Sequence, residues 1–529
     1  MADAPLGSDV KAAFGAAVAL TLVALMIDNG AIGWLVALIV IPLLFYAMAK
    51  APLRSSLLVL MFCALTLENP SEMPADGQWR SPFYMLGSLM LTHLKQTVGG
   101  GLFFSGMDMM LAWLGFVYFL RRSNPMSPDR VGNRPTPRPM VKLAQLALAG
   151  MAFVWVIGKI RGGADNSMAM WQLDRVMYVP LIFLLFQAGL RGPQDATAVA
   201  KVILLSGTLR ALQARYVVWS LHLPRDPMTG ESGLAYATTH HDSMLFAWTT
   251  VLLVALLVHR VKNGSGKLAF FLLPILVSGM LANNRRMVWV QIILVFVTLY
   301  FVTGMTPVKR KIQRWLKLIS PVALVYILVG WGSGSAIFKP VRIIRSAVDS
   351  KADASTQWRD IENFDLLYTF REFPFFGTGY GRGFWEVMPL PAVDYQLERF
   401  VPHNSILGLW TYCGFIGFTA ITLLWVSGVY FGIRAYHAAS SPLDKSAALV
   451  CFGGLLIHYV QCYGDMGLGS WSGVFMVAPS LAMAGKLAVT TGAWPANERF
   501  GIFKSSVPST STAPRPRPAS GWNGRAPNG

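Results

Sequence analysis

The chain has 529 residues, of which 54% are hydrophobic and only 13% charged, and its mean hydropathy is +0.47. Soluble domains carry roughly 25% charged residues, so this balance excludes an ordinary soluble protein and points to an all-α polytopic membrane protein. The net charge of +19 is read as cytoplasmic Lys and Arg fixing topology, not as a nucleic-acid surface.

The opening stretch MADAPLGSDVK lacks a basic n-region and a small-residue cleavage site, so the first apolar run is read as a retained span. About 18 apolar residues cross a hydrocarbon layer about 30 Å thick. On that basis spans are expected at 10–28, 31–49, 52–68, 102–120, 141–160, 172–190, 197–220, 241–259, 267–283, 287–304, 317–337, 404–432, 446–463 and 467–489, fourteen in all. The basic connections 121–142, 259–267 and 309–317 and the Arg-bearing tail then share one side, which the positive-inside rule makes the cytoplasm. Residues 1–500 are read as one transmembrane domain. The Pro/Ser/Gly-rich segment 501–529 is too poor in apolar residues for a core and is read as a disordered cytoplasmic tail.

The opposite face carries three longer loops, 69–101, 221–240 and 338–402. The last is expected to form an ordered, partly helical lid, since it holds both charge signs, several aromatics and the Gly-rich stretch FFGTGYGRGF at 375–384. That stretch follows REFPFF and opens no βαβ unit, so it reads as a turn or hinge and not as a nucleotide fingerprint. Cys63, Cys413, Cys451 and Cys462 are scattered through apolar runs and read as small buried hydrophobes.

Unusual polar residues gather on the same outer face. Asn283, Asn284, Arg285 and Arg286 fill a nearly absent connection between two spans, Arg359 lies in the large loop, and Arg210 and Arg215 sit in the outward half of a span. Arginines at membrane depth face a cavity or a partner, and their planar forks suit phosphate oxygens. Arg285 and Arg286 could instead snorkel to lipid headgroups, and Arg359 could be a solvated or salt-bridged loop residue. His403 and Asn404 close the large loop where RFVPHNSILGLW turns apolar. Such a histidine could cap a helix, ligate a metal, or accept a proton. The TTHHDS stretch places His240, His241 and Asp242 together, but adjacent residues point apart on a helix and no further ligand cluster is evident, so no metal site is read there.

Taken in order, the outer Asn-Arg-Arg start of a span, QWRDIENFDLLYTFREFPFFGTGYG, and VPHNSILGLWTYCGFIG resemble the O-antigen ligase superfamily, which includes lipopolysaccharide O-antigen ligases and polysaccharide repeat-unit polymerases. The resemblance covers residues 270 to 430. It departs from the family pattern at Arg286, which stands where a glycine is usual. The resemblance implies a GT-C type glycosyltransferase in the bacterial inner membrane, with its site facing the periplasm and no metal or other cofactor. It also implies an undecaprenyl-pyrophosphate-linked glycan as donor, and lipid A-core or another glycan as acceptor. His403 would be the base, since an ordinary imidazole titrates near pH 6.5. Arg359 with Arg285 or Arg286 would hold the pyrophosphate, Arg210 and Arg215 would be further candidates, and Asn284 and Asn404 would support. Membrane lipids and polysaccharide chain-length or export proteins are the expected partners. A reading from another class makes the chain a secondary anion transporter with Arg210, Arg215, Arg285 and Arg286 along its path. Such transporters carry internal repeats, and none is visible here.

Overall fold

The computed structural model describes residues 31–67, 82–92, 104–124, 127, 129, 133–220, 237–261, 265–305, 307–338, 341, 345, 354–390 and 399–495. The expected span 10–28, the tail 501–529, most of the 221–240 loop and parts of the other two outer loops lie outside these residues. All regular structure among the described residues is helical. In chain order the helices are α1 (Ala31–Lys50), α2 (Leu53–Thr66), α3 (Pro82–Leu91), α4 (Gly106–Arg121), α5 (Arg138–Ile160), α6 (Asn166–Gly189), α7 (Ala196–Ser220) and α8 (Asp242–Val258). They continue with α9 (Ser265–Asn283), α10 (Met287–Val302), α11 (Pro307–Gly330), α12 (Ala354–Glu372), α13 (Ser405–Ala438), α14 (Pro442–Gly464) and α15 (Trp471–Thr490).

Among the described residues, six helices are long and apolar enough to cross a membrane: α5, α6, Lys309–Gly330 of α11, α13, α14 and α15. This is the pattern of a helical multi-pass membrane protein. Local chemistry sets the helix starts. Ser441 caps α14 by accepting from the Asp444 N–H at 3.0 Å, with Pro442 at the first position, and Ser105 and Asp108 form a reciprocal capping box on α4. At the centre lies α15, buried on all sides among α2, α6, α13 and α14. Its Lys486 is fully buried and donates to Asn133 Oδ1 and the Arg134 carbonyl, each at 2.6 Å, so these two residues of the basic connection are tied to the bundle.

Two helices differ from the sequence reading. The basic stretch 309–317, expected as a connection, forms the first turns of α11, because Lys, Arg, Gln and Leu are good helix formers and Ile312, Trp315 and Leu316 recur at helical spacing. Helix α3 occupies part of the expected loop 69–101, where PFYMLGSLML buries Leu86, Met90 and Leu91. The four cysteines are buried and unbridged.

The Gly-rich stretch 375–384 is a wedge between α5, α6 and α13. Gly377, Gly379 and Gly381 have φ of 65, 86 and 87°, and α13 breaks opposite them at Gly414, φ 58°. Backbone bonds replace those that the break removes: Gly379 N–H donates to the Tyr412 carbonyl at 2.9 Å, and Phe415 N–H to that of Pro374 at 2.7 Å. A Cβ on Gly379 would lie 2.2 Å from the Gly158 backbone nitrogen. Gly379→Ala is therefore expected to abolish the monodisperse peak in fluorescence-detected size exclusion. Gly162→Ala, at φ 74° with open space around its Cβ, meets only backbone strain of about 1 kcal/mol and should retain the peak.

Candidate functional site

Helix α12 lies within the 338–402 segment and presents two residues one turn apart to His403. The Trp358 ring meets the imidazole edge-on, with centroids 4.9 Å apart. Glu362, 1% exposed at its side chain, accepts from the His403 backbone N–H at 3.1 and 3.0 Å, and its Oε1 lies 3.2 Å from His403 Nδ1. A carboxylate at Nδ1 assigns the proton to that nitrogen and leaves the lone pair on Nε2, the arrangement a general base requires. The imidazole keeps 20% of its surface open. Helix capping belongs to the neighbour: Asn404 Oδ1 accepts from the Leu407 N–H at 3.1 Å, while its Nδ2 donates to Asn363 Oδ1 at 3.0 Å.

The clamp between α12 and α13 is completed by Thr411, whose hydroxyl donates to the Leu366 carbonyl at 3.1 Å. Asp365 ties down the following loop by accepting from the Val387 and Met388 N–H groups at 3.1 and 3.0 Å. Burial pushes its carboxyl above the usual range despite these two bonds, which favour the charged form.

Arg359 precedes Glu362 by less than one turn and points across the site. Its Nη2 lies 4.0 Å from Asp465 Oδ1, and its Nε is buried with no hydrogen-bond partner among the described residues. Asp465 follows the last turn of α14, where its N–H donates to the Gln461 carbonyl at 2.7 Å. Burial alone would raise its carboxyl, but the positive fields of His240, Arg359, His241 and Arg285 outweigh that and hold it below the usual carboxylate range. Basic side chains from three separate chain segments therefore surround one carboxylate. Arg285 reaches this point because α10 packs beside α14, with Gln291 Nε2 donating to Gln461 Oε1 at 2.6 Å. Where His241 approaches, its Nε2 is 3.2 Å from the Met466 carbonyl.

The residues of the Asn-Arg-Arg stretch separate. Asn283 is buried and holds the turn before α8, accepting from the Ala237 and Thr238 N–H groups and donating to the Thr239 carbonyl at 2.9 Å. Exposed Asn284 makes the chain reversal at φ 50°, a conformation asparagine tolerates. Arg285 is half-buried on the Asp465 side, whereas Arg286 begins α10 exposed. His240 and His241 lie in a turn ahead of α8, not on the helix, and their ring centroids are 4.2 Å apart. This departs from the expectation that the two rings diverge.

Arg210 and Arg215 stand differently. Arg215 is on the exposed face of α7. Arg210 is 1% exposed and makes a two-pronged bond to Asp242, Nε to Oδ1 at 3.0 Å and Nη2 to Oδ2 at 2.7 Å, with Nη1 on Gln213 Oε1 at 3.0 Å. Its fork thus joins α7 to α8. Arg210→Ala would leave Asp242 buried without its counter-charge, a loss of about 3–5 kcal/mol. Thermal unfolding in detergent should shift sharply downward for Arg210→Ala and recover largely in Arg210→Met combined with Asp242→Leu.

Sequence reasoning missed Glu362 and Asp465. Glu362 sits inside the quoted QWRDIENF stretch, three residues after Arg359, and helical spacing was its signal. Asp465 is an acid in the short connection YGDMGLG between two apolar runs. Beside His403, a small cleft is lined by Trp171, Gln172, Arg175, Ser405, Gly408 and Leu468, which places α6 next to the start of α13. Comparison with models of known protein families and with curated proteins finds no match for this chain.

Proposed function

We propose that the chain is an inverting glycosyltransferase of the O-antigen ligase type. It would transfer a glycan from an undecaprenyl-pyrophosphate carrier to an acceptor hydroxyl at the periplasmic face of the inner membrane, through a GT-C-like scaffold of fourteen spans. The observation that carries this reading is the His403–Glu362 pair, set less than one helical turn from Arg359 at a loop-to-membrane boundary. A base, an orienting carboxylate and phosphate-type cations are the three elements that metal-free glycosyl transfer from a lipid diphosphate needs.

In this mechanism the acceptor O–H gives its proton to His403 Nε2 as its oxygen attacks the anomeric carbon. The bond from that carbon to the diphosphate oxygen breaks with the electron pair leaving on the diphosphate. Attack opposite the leaving group inverts the centre. Glu362 stabilises the imidazolium formed, as a buried acceptor at Nδ1 does in other base-orienting pairs. Arg359 and Arg285 neutralise the charge growing on the diphosphate. Asp465 holds these guanidinium groups in place before the donor arrives.

A repeat-unit polymerase shares every step and differs in acceptor. Deleting the gene and resolving surface polysaccharide on a gel separates the two. A ligase predicts loss of polymer from lipid A-core with polymer kept on the carrier, while a polymerase predicts accumulation of single-repeat product. Normal polysaccharide in every fraction overturns both. The transporter reading draws less support, since Arg210 is bonded to Asp242 and Arg215 lies on an outer helix face.

A further inference from the structure

Far from this site, at the end of the bundle where α8 and α10 finish and α11 begins, a cleft of about 620 Å³ runs between helices. Its walls are almost wholly apolar, formed by Val254, Ile293, Phe296, Val297 and Leu316, and the exposed faces of Ile293, Val297 and Phe301 open it outward. Lys309 stands at its polar end, with Nζ donating to the Thr303 carbonyl at 2.7 Å and 4.5 Å from the Tyr300 ring centroid. The lining from α10 and its C-cap extends from Ile292 to Thr303. At 1.5 Å per residue that run is about 16 Å long, the depth of one leaflet of a hydrocarbon layer about 30 Å thick.

The charge that the start of α11 brings to the mouth is of one sign. The stretch KRKIQRWLK supplies Lys309, Arg310, Lys311, Arg314 and Lys317 with no acid among them, and the last four are exposed. Nearby His259 packs on Tyr436 with ring centroids 5.8 Å apart. An apolar slot one leaflet deep beneath a cluster of cations matches an anionic glycerophospholipid, whose acyl chain fills the slot while its phosphate meets the cations. The slot's length argues against a polyprenyl chain, which exceeds one leaflet.

We infer that the cleft between α8, α10 and α11 is a binding site for one anionic phospholipid, with its headgroup at Lys309 and the basic first turns of α11. Basic segments beside membrane helices select anionic lipids in this way, and the site requires only that the chain be embedded in a bilayer. It is independent of the glycosyltransferase reading.

The test uses the full chain in nanodiscs containing phosphatidylcholine with a trace of photoactivatable phosphatidylglycerol or photoactivatable phosphatidylcholine, with crosslinked peptides mapped by mass spectrometry. The phosphatidylglycerol probe should label peptides containing 251–258 and 292–303 about tenfold more than the phosphatidylcholine probe. Lys309→Glu should remove most of that preference. Val297→Trp, at a position 49% exposed and so able to take the larger ring, should suppress labelling of the slot by filling it. Equal labelling by both probes, labelling insensitive to Lys309→Glu, or no labelling of 292–303 would overturn the proposal. Displacement of the phosphatidylglycerol probe by equimolar polyprenyl phosphate would also overturn it, by making the carrier lipid the occupant.

Discussion

Replacing His403 by alanine is expected to lower single-turnover glycan transfer by roughly 10²- to 10⁴-fold, the range for loss of a general base, while donor binding stays nearly intact. The argument rests on placement: the ring is held from behind by Glu362 and from the side by Trp358, while Asn404 performs the helix capping. Glu362→Gln tests the pair more finely. An amide oxygen still accepts from the His403 backbone N–H, so the loop keeps its anchor, but a neutral partner stabilises the imidazolium less. Its turnover should fall, but by less than in His403→Ala. Transfer assays on purified variants in nanodiscs, with yield and melting temperature as folding controls, read both effects. Near-normal turnover in well-folded His403→Ala removes the histidine from the mechanism.

The helices were legible because their apolar runs are long and bounded by charge. Observed α7, α9 and α10 lie within two residues of the expected 197–220, 267–283 and 287–304 at each end. The signal failed where one helix joins a polar and an apolar half. In α11 the cationic turns read as a connection because a hydropathy window registers charge and not helical continuity. The wedge at 375–384 could be read as a turn from its glycines, but its partner, the break at Gly414, could not. CGFIG holds two glycines, Gly414 and Gly417, and nothing in the stretch says that the chain leaves helical geometry at the first of them. Motif order singled out His403, Asn404, Arg359 and the pair Arg285 and Arg286 without choosing between them, whereas the bonding of Arg210 to Asp242 and the separation of Arg285 from Arg286 depend on which way each helix face turns. That requires the packing of α7, α8, α10 and α14, which a single sequence does not state.

Arg359→Ala should weaken donor binding and turnover together, because its guanidinium points across the site at Asp465 with a buried Nε that only a further acceptor would satisfy. A diphosphate oxygen supplies that acceptor, and charge-assisted bonds of this type contribute about 1.5–3 kcal/mol each, or roughly ten- to a hundredfold in affinity. Arg359→Lys should recover part of the loss, since one ammonium supplies charge without the planar fork. Arg285→Ala should resemble Arg359→Ala, because both cations act on the same carboxylate. Arg286→Ala is the internal control: exposed at the start of α10, it should change affinity and turnover by less than twofold, as expected for loss of a surface charge worth about 0–1 kcal/mol. Titration of a donor analogue bearing the lipid diphosphate, followed by single-turnover transfer, distinguishes the four variants. If Arg286→Ala falls with Arg359→Ala while Arg285→Ala stays normal, the pyrophosphate assignment of the pair is reversed and α10 must turn its first residue inward when the donor binds. If none of the four alters binding, the arginines serve only to anchor the loop on Asp465, and the diphosphate must be sought elsewhere on the protein.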